Sequence, residues 1–347
     1  MKILYLANIR LPTEKAHGIQ IMKTCEALSK TGDDIELVVT NRRTPINESP
    51  FEYYRVVKPF ALTRLAVVDT VRWGKLGFAL ETRSFALAAN RLLLRRTPDV
   101  IFGRDEQVLA RLKTDLPIVW ETHTGAWSSA AKSVAQRAHR IITISQGLKD
   151  FYIAQGVPAG KIAVAHDGVD VEQFNLSLSR AEARAKLGLN PIRPLVVYTG
   201  SRQAIKGVRT LEEAGALLPD IELLIISGKP QKEIPLYLHA ADLLVLPNSG
   251  ADIVSSRFTS PMKLFEYMAS GTPIVASNVP SIREVLDVTM AELVSPDDPK
   301  ALAEGIRAAL ADPESWQRAD VARRKVAEYS WDSRADTILK EIYKTTV

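Results

Sequence analysis

Two apolar patterns alternate along the chain. Short continuous apolar runs read as strands at 3–8, 35–40, 100–103, 117–121, 141–144 and 162–165. Between them lie longer stretches with apolar residues three and four apart, the first near 18–31, and these predict helices. Strands alternating with helices predict a parallel sheet covered on both faces. The pattern pauses at 171–193, where Asn175, Pro191 and Pro194 mark a linker. It restarts with strands at 195–199, 222–227, 242–246 and 273–276, and ends in a helix at 331–345. The expected fold class is α/β, with two doubly wound Rossmann-like domains, 1–172 and 173–330, facing a central cleft. Ligands of such sheets sit at the carboxyl ends of the strands.

Composition narrows the class. An apolar fraction of 46% and a charged fraction of 24% are ordinary globular values. A single cysteine, Cys25, excludes an internal disulfide and suits a reducing compartment. The apolar part of the N-terminus is too short for a signal peptide and reads as a first strand, and no apolar run reaches spanning length. The expected location is the cytoplasm. The net charge of +5 is uneven: residues 42–111 hold 13 Lys and Arg against 7 Asp and Glu. That surplus suggests contact with something anionic. No zinc-ligand cluster and no nucleic-acid motif accompanies it, so no nucleic-acid partner is expected.

The most informative stretch is Ser260-Pro-Met-Lys-Leu-Phe-Glu-Tyr-Met-Ala-Ser-Gly-Thr-Pro-Ile-Val-Ala-Ser277. Ser260 predicts an N-cap, Pro261 the first helical position, and Gly271 the C-cap before a strand. The N-terminus of such a helix can hold a phosphate. Glu266, further along, can accept two ribose hydroxyls; its plainer reading is a surface partner of Lys263 at i, i+3. Upstream, Arg202 and Lys206 follow the strand Leu195-Val-Val-Tyr-Thr199, with Gly200 allowing a tight turn and Gly207 opening the next helix. Two cations there suit a diphosphate; a solvated basic loop is the alternative.

Several segments together resemble glycosyltransferase family 4, whose members have the GT-B fold. They are the helix above, Val197-Tyr-Thr-Gly-Ser-Arg-Gln-Ala-Ile-Lys-Gly207, Ile141-Ile-Thr-Ile-Ser-Gln-Gly-Leu-Lys149, Val164-Ala-His-Asp-Gly-Val-Asp170 and Tyr237-Leu-His-Ala-Ala-Asp-Leu-Leu-Val-Leu-Pro247, in the family's order. The resemblance implies transfer of a sugar from a nucleotide-diphosphate donor to a glycan or lipid-linked acceptor, with retention of configuration. It implies no cofactor and no metal, and the chain has no Asp-x-Asp pair. It also implies that the terminal segment 331–347 packs back on the first domain. A role in surface polysaccharide or lipid-linked glycan assembly fits. Other enzymes of the fold, an epimerase or a phosphorylase, and a non-catalytic sugar-nucleotide-binding protein are the alternatives.

Carried over residue by residue, the resemblance places Gly18, Gly200, Arg202, Lys206, Gly228, Thr259, Ser260, Met262, Lys263, Leu264 and Glu266 at the donor. His123, in Glu121-Thr-His123, falls near the donor sugar, and with Arg202 and Lys206 makes the candidate catalytic set. A buried structural histidine is its plainer reading. Glu121 is an acceptor contact or a salt-bridged structural acid, Arg104 a further cleft residue, and His17 has no assigned role. The family's motif usually has two glutamates with seven residues between them. The first falls on Phe258 here, which cannot accept a hydrogen bond, so backbone groups of 259–262 or Asp252 must read the sugar. Finally, residues 60–96 interleave Trp73, Phe78 and Phe85 with Arg64, Arg72, Lys75, Arg83, Arg91, Arg95 and Arg96. Such a segment either docks peripherally on the anionic inner face of a membrane or is an ordinary helix with a solvated basic face.

Overall fold

The computed structural model describes residues 1–345, so the last two residues of the expected terminal segment lie outside the described residues. The chain forms two units. One holds residues 1–144, 148–166 and the C-terminal segment from Trp331; the other holds Ser145–Gly147 and Asp167–Ser330.

Seven parallel strands make the sheet of the first unit: β1 (Lys2–Leu6), β2 (Asp34–Thr40), β3 (Ala61–Leu65), β4 (Val100–Gly103), β5 (Ile118–Thr122), β6 (Arg140–Thr143) and β7 (Ile162–Val164). Their order is β3-β2-β1-β4-β5-β6-β7, with the reversal between β1 and β4. Leu6 pairs with Gly103 there, so the segments that follow, around Asn8 and Arg104, leave the sheet side by side. Three helices matter for the site: α1 (Ala16–Lys30), α2 (Gly74–Leu93) and the terminal helix, here α5 (Trp331–Tyr343), which contacts α1.

The second unit has five parallel strands: β8 (Leu195–Thr199), β9 (Glu222–Ile226), β10 (Leu243–Leu246), β11 (Ile274–Ser277) and β12 (Glu292–Val294), ordered β12-β11-β10-β8-β9. Successive side chains of a strand point to opposite faces. Leu195 and Val197 therefore join a core with Leu264, Phe265 and Met268, while Val196 and Tyr198 join another with Val208, Leu211 and Ile306. Burial on both faces is why these strands carry continuous apolar runs. Each fully buried Leu, Phe or Met side chain contributes about 1.5–3 kcal/mol. Helices α3 (Val208–Ala216) and α4 (Met262–Ser270) lie on opposite faces.

Several expectations need correction. β3 and β12 were not expected: both are short, only partly buried segments at sheet edges, with little apolar signal. The expected linker 171–193 contains helices Val171–Phe174 and Arg180–Leu187. The second of these is held by a capping box between Ser179 and Glu182. The second unit takes Ser145–Gly147 and begins its long segment at Asp167 rather than at 173. Gly147 lies so close to the Arg257 carbonyl oxygen that a Cβ would stand 2.2 Å from it.

Candidate functional site

In the second unit the groups converge beyond the carboxyl end of β8. The strand ends at Thr199, whose N–H donates to the Tyr267 hydroxyl at 2.8 Å, tying the strand to α4. Gly200 then turns with φ of 133°, a region that favours glycine. Gly207 has φ of 68°, and a Cβ there would stand 1.6 Å from the Pro247 carbonyl oxygen. These glycines let the loop between them fold against the end of β10.

Into this space α4 sends Lys263. Its Nζ is buried and, among the described residues, has no hydrogen-bond partner. It stands 3.9 Å from the centroid of the Tyr198 ring, a cation–π contact. A Cβ on Gly200 would lie 2.9 Å from it. Burial, then the neighbouring Lys206 charge, pushes the Lys263 ammonium well below the usual lysine range, with Glu266 partly opposing. Burial also lowers Lys206, and Asp252 works against that shift. Two like charges held together out of water make an arrangement that an anion would stabilise.

One turn further along α4, Glu266 is only 7% exposed and accepts a 2.6 Å hydrogen bond from Gln231 Nε2. Burial raises its carboxyl, with Gln231 and Lys263 pulling the other way. Gln231 lies in the loop after β9, beyond Gly228, whose φ of 72° needs glycine. Lys263 and Glu266 therefore share a helix without forming the surface ion pair their spacing allows.

The start of α4 differs from the expected cap. The helix begins at Met262, Pro261 occupies the cap position, and no side chain caps it. The Ser260 hydroxyl instead accepts from the Asp167 N–H at 2.9 Å, and Gly271 ends the helix with φ of 68°. Leu264 turns its side chain into the core, and its N–H donates to the Pro261 carbonyl. Phe258 is 6% exposed and closes a π-helical turn, Val254–Phe258. Asp252 accepts from the Ser255 N–H at 2.9 Å at the head of that turn, with half-buried Thr259 following it. Arg202 is not drawn into the lysine cluster: it is exposed and pairs with Glu212 on α3.

In the first unit the centre is Glu121, which is 0% exposed and so cannot meet an acceptor directly as it stands. Its Oε1 accepts from Gln20 Nε2 and Arg334 Nη2, each at 2.7 Å, and contacts His123 Nε2 at 2.5 Å. The Tyr5 hydroxyl donates to Oε2 at 3.3 Å. Burial alone would raise the Glu121 carboxyl. Arg334, His123 and Arg104 outweigh it and hold the group well below the usual carboxylate range. Arg104 reaches the same centre through the Gln20 side-chain oxygen. His123 keeps a side chain 19% exposed at the edge of the network. His17 is lowered to about 4, by burial first and then by Arg104, Lys15 and His123. The first unit thus gathers His123, Glu121 and Arg104.

Gly18 has a packing reason. A Cβ there would stand 2.1 Å from the Tyr54 hydroxyl, which bridges the backbone of Thr13. Sequence reasoning missed Gln20, Arg334, Tyr198, Gln231 and Tyr267. Tyr198 and Tyr267 sat inside the quoted motifs without being singled out, and Gln231 follows Gly228 in the loop after a strand. Among the described residues no group of three or more His, Cys, Asp or Glu side chains could hold a metal ion.

Comparison with known proteins follows the same division. Residues 18–173 match the model for Glycosyltransferase Family 4, and residues 200–312 match that for Glycosyl transferases group 1. The first stretch thus matches a family 4 glycosyltransferase domain and the second a group 1 glycosyltransferase domain. A D-inositol 3-phosphate glycosyltransferase of Mycolicibacterium gilvum is 32% identical over 205 residues, 52% of this chain and 46% of that one. The chain spans about half the length of the curated relatives it matches first. Among solved structures, sucrose-phosphate synthase from Thermosynechococcus elongatus has a TM-score of 0.78 at 19% identity, over 99% of this chain and 98% of that one. Anabaena HepE in complex with UDP-glucose has a TM-score of 0.75 at 14% identity, over 99% and 100%. At those identities the structures establish the fold: this chain has the Rossmann-like units of the GT-B architecture. The glycosyltransferase domain matches and the fold expected from the motifs are thereby met.

Proposed function

We propose that this chain transfers a sugar from a nucleotide-diphosphate donor to a glycan or lipid-linked acceptor, with retention of anomeric configuration, the course of the family it resembles. The observation that carries the reading is the buried Lys263 Nζ, without a hydrogen-bond partner among the described residues, beside Lys206 and on the helix that carries Glu266. A diphosphate supplies the missing anion, and a ribose supplies hydroxyls for Glu266. As the sugar–diphosphate bond breaks, charge grows on the leaving phosphate, and pre-placed cations stabilise that change without reorganising. In this proposal the lysines meet that charge without a metal ion. His123 and Arg104, in the first unit, serve the sugar and the acceptor.

The test is product analysis with a panel of nucleotide sugars, starting with UDP-glucose because HepE was solved with it. Release of nucleoside diphosphate together with a glycoside, undiminished by EDTA, is expected. An isomerised nucleotide sugar or a sugar phosphate would replace transfer by epimerase or phosphorylase chemistry. Phe258, buried where the family's first glutamate usually stands, favours one further reading, a protein that binds donor without turning it over. Binding with no release, including no slow donor hydrolysis, would establish that.

The acceptor proposal includes a membrane surface. On α2 and its flanks Trp73, Leu76, Leu80, Arg83, Leu87, Arg91 and Leu94 follow helical three- and four-residue steps, and all are exposed. Gly77, Glu81, Phe85 and Ala89 face inward, so Phe85 is removed from the expected docking set while Trp73 and Phe78 remain. An apolar stripe with arginines, flanked by Arg72 and Lys75, complements an anionic bilayer, each basic residue adding on the order of 1 kcal/mol. Among the described residues no helix is long and apolar enough to cross a membrane. Co-sedimentation with anionic liposomes at low salt, reduced by charge reversal at Arg72 and Lys75, is expected. Equal sedimentation with neutral liposomes, or none, would leave an ordinary solvated face.

A further inference from the structure

The terminal helix α5 places a charge at the centre of the first unit's site. Arg334 is 4% exposed and lies 213 residues from Glu121 in sequence. Its guanidinium is divided among three directions. Nη2 donates to Glu121 Oε1 at 2.7 Å, Nη1 to the His166 carbonyl at 2.7 Å and to the Ala165 carbonyl, and Nε to Thr24 Oγ1 at 3.4 Å. A side chain so constrained has one position, and it transmits that position to the carboxylate. Glu121 Oε1 is also the atom that His123 Nε2 contacts. An ionised carboxylate only accepts, so this contact puts the imidazole proton on Nε2 and orients the ring.

We infer that Arg334 is a positioning residue for His123 and Arg104, acting through the Glu121 carboxylate. The inference rests on the proposed transferase reading for its catalytic consequence, but the geometry stands without it. Arg334 balances Glu121 so that the acid stays ionised inside the unit. Glu121 then fixes His123 directly and Arg104 through Gln20, whose amide donates to Glu121 while its oxygen accepts from Arg104. The groups facing Glu121 are Tyr5 from β1, Gln20 and Cys25 from α1, Arg104 after β4, His123 after β5 and Arg334 from α5. Arg334 and Arg104 are the two arginines in that set, and Arg334 is the one in direct contact with the carboxylate. No local sequence pattern announces it, since it sits one turn into an otherwise amphipathic helix.

The experiment compares the full chain with Arg334→Met and Arg334→Lys. The first readout is the NMR titration of the His123 ring, which needs no substrate. With arginine present, Glu121 keeps a constant charge over the working range and His123 titrates in one step. In Arg334→Met the acid itself titrates within that range, and coupling gives the His123 curve a second step. The second readout is kinetic. Arg334→Met should lower kcat by roughly 100-fold, the scale of an ångström-level misplacement. The donor KM should stay within a few-fold, and the acid limb of the kcat profile should move. Arg334→Lys keeps the charge and should recover part of both. If Arg334→Met does not fold, Glu121→Gln with Arg334→Met removes both charges and is measured instead. It should fold, stay slow, and titrate His123 at lower pH because no carboxylate faces the ring. A His123 curve and pH profile matching wild type in a folded variant carrying Arg334→Met would overturn the inference. Absence of transfer by the wild type would sink the transferase reading alone, and the titration would still decide the positioning.

Discussion

The two units treat buried charge in opposite ways. In the first, Glu121 sits among Arg334, His123, Gln20 and Tyr5, and the carboxylate is satisfied without any ligand. In the second, Lys263 Nζ is buried over an aromatic ring with a second lysine nearby and no hydrogen-bond partner among the described residues. A completed network offsets its own desolvation and holds its members in one geometry, which suits residues that orient uncharged groups. An incomplete one stores unfavourable free energy that a matching anion removes on binding. Under the proposed function, the difference assigns the charged part of a donor to the buried lysine of the second unit.

The sharpest way to break the comparison is to remove one charge from each unit. Glu121→Leu leaves the Arg334 guanidinium buried without its carboxylate. Orphaning one member of a buried pair costs about 3–5 kcal/mol, so the urea transition of the first unit should move to much lower denaturant. A midpoint near wild type would mean that the network contributes little.

Lys263→Met should do the reverse to stability while costing binding. Among the described residues no hydrogen bond is lost, and a desolvated ammonium is replaced by an apolar chain of similar length. The sign follows from linkage. The folded-state value of Lys263 lies below the ordinary lysine value of 10.5, so the unfolded chain holds the proton more tightly. At pH below the folded value the protein bears the full penalty, and it sheds that penalty as pH rises from this value to the ordinary 10.5. The stabilisation from Lys263→Met should therefore be largest at low pH and shrink as pH rises. Nucleoside diphosphate binding should weaken by about 2 kcal/mol or more, roughly 30-fold, in calorimetry. Undiminished affinity would remove Lys263 from the donor site.

Much of this contrast was invisible in the sequence, for physical reasons. The strands were legible because burial on both faces writes continuous apolar runs, as in Leu195–Thr199. Gly207 and Gly271 were legible because positive φ selects glycine. Ser260-Pro261 misled because a serine before a proline looks the same whether it caps a helix or accepts from a distant N–H, here that of Asp167. Lys263 read as a partner for Glu266 because helix-surface rules assume water around the lysine. Tyr198 and Gly200, from another element, remove that water. Arg334 carried no signal at all, since the pair it forms with Glu121 exists only once the terminal helix has packed. The capping box at Ser179 and Glu182 was present as a pattern inside a stretch whose prolines and asparagine suggested a linker.

A smaller effect tests the other end of the donor. Glu266→Gln keeps the shape and the Gln231 neighbour but removes the charge. Hydrogen bonds to a charged group are worth about 1.5–3 kcal/mol, and an amide retains part of that, so nucleotide binding should weaken by roughly tenfold. Inorganic pyrophosphate, which has no ribose, should bind Glu266→Gln as it binds wild type. Equal losses for both ligands would mean that Glu266 acts on the phosphates through Lys263 rather than on the sugar of the nucleotide.

Arg202 gives the smallest expected effect and the finest test of the contrast. By position after β8 it belongs with Lys206, and the resemblance to family 4 implies that both meet the donor and join the candidate catalytic set. The structure places it in solvent, paired with Glu212 and away from the buried lysine cluster. Exposed ion pairs contribute about 0–1 kcal/mol, because both partners are already well solvated and lose side-chain freedom on pairing. If buried, unpartnered charge is what reads the diphosphate, Arg202→Ala should change nucleotide diphosphate affinity by less than about fivefold and leave kcat nearly untouched. Lys206→Ala, from the same loop but half-buried beside Lys263, should have a clearly larger effect on both. If Arg202→Ala instead lowers kcat strongly with little change in KM, the guanidinium must leave Glu212 and reach the leaving group in the transition state. The charge that matters for turnover would then come partly from the solvated surface, and the division between buried and exposed cations would not predict function.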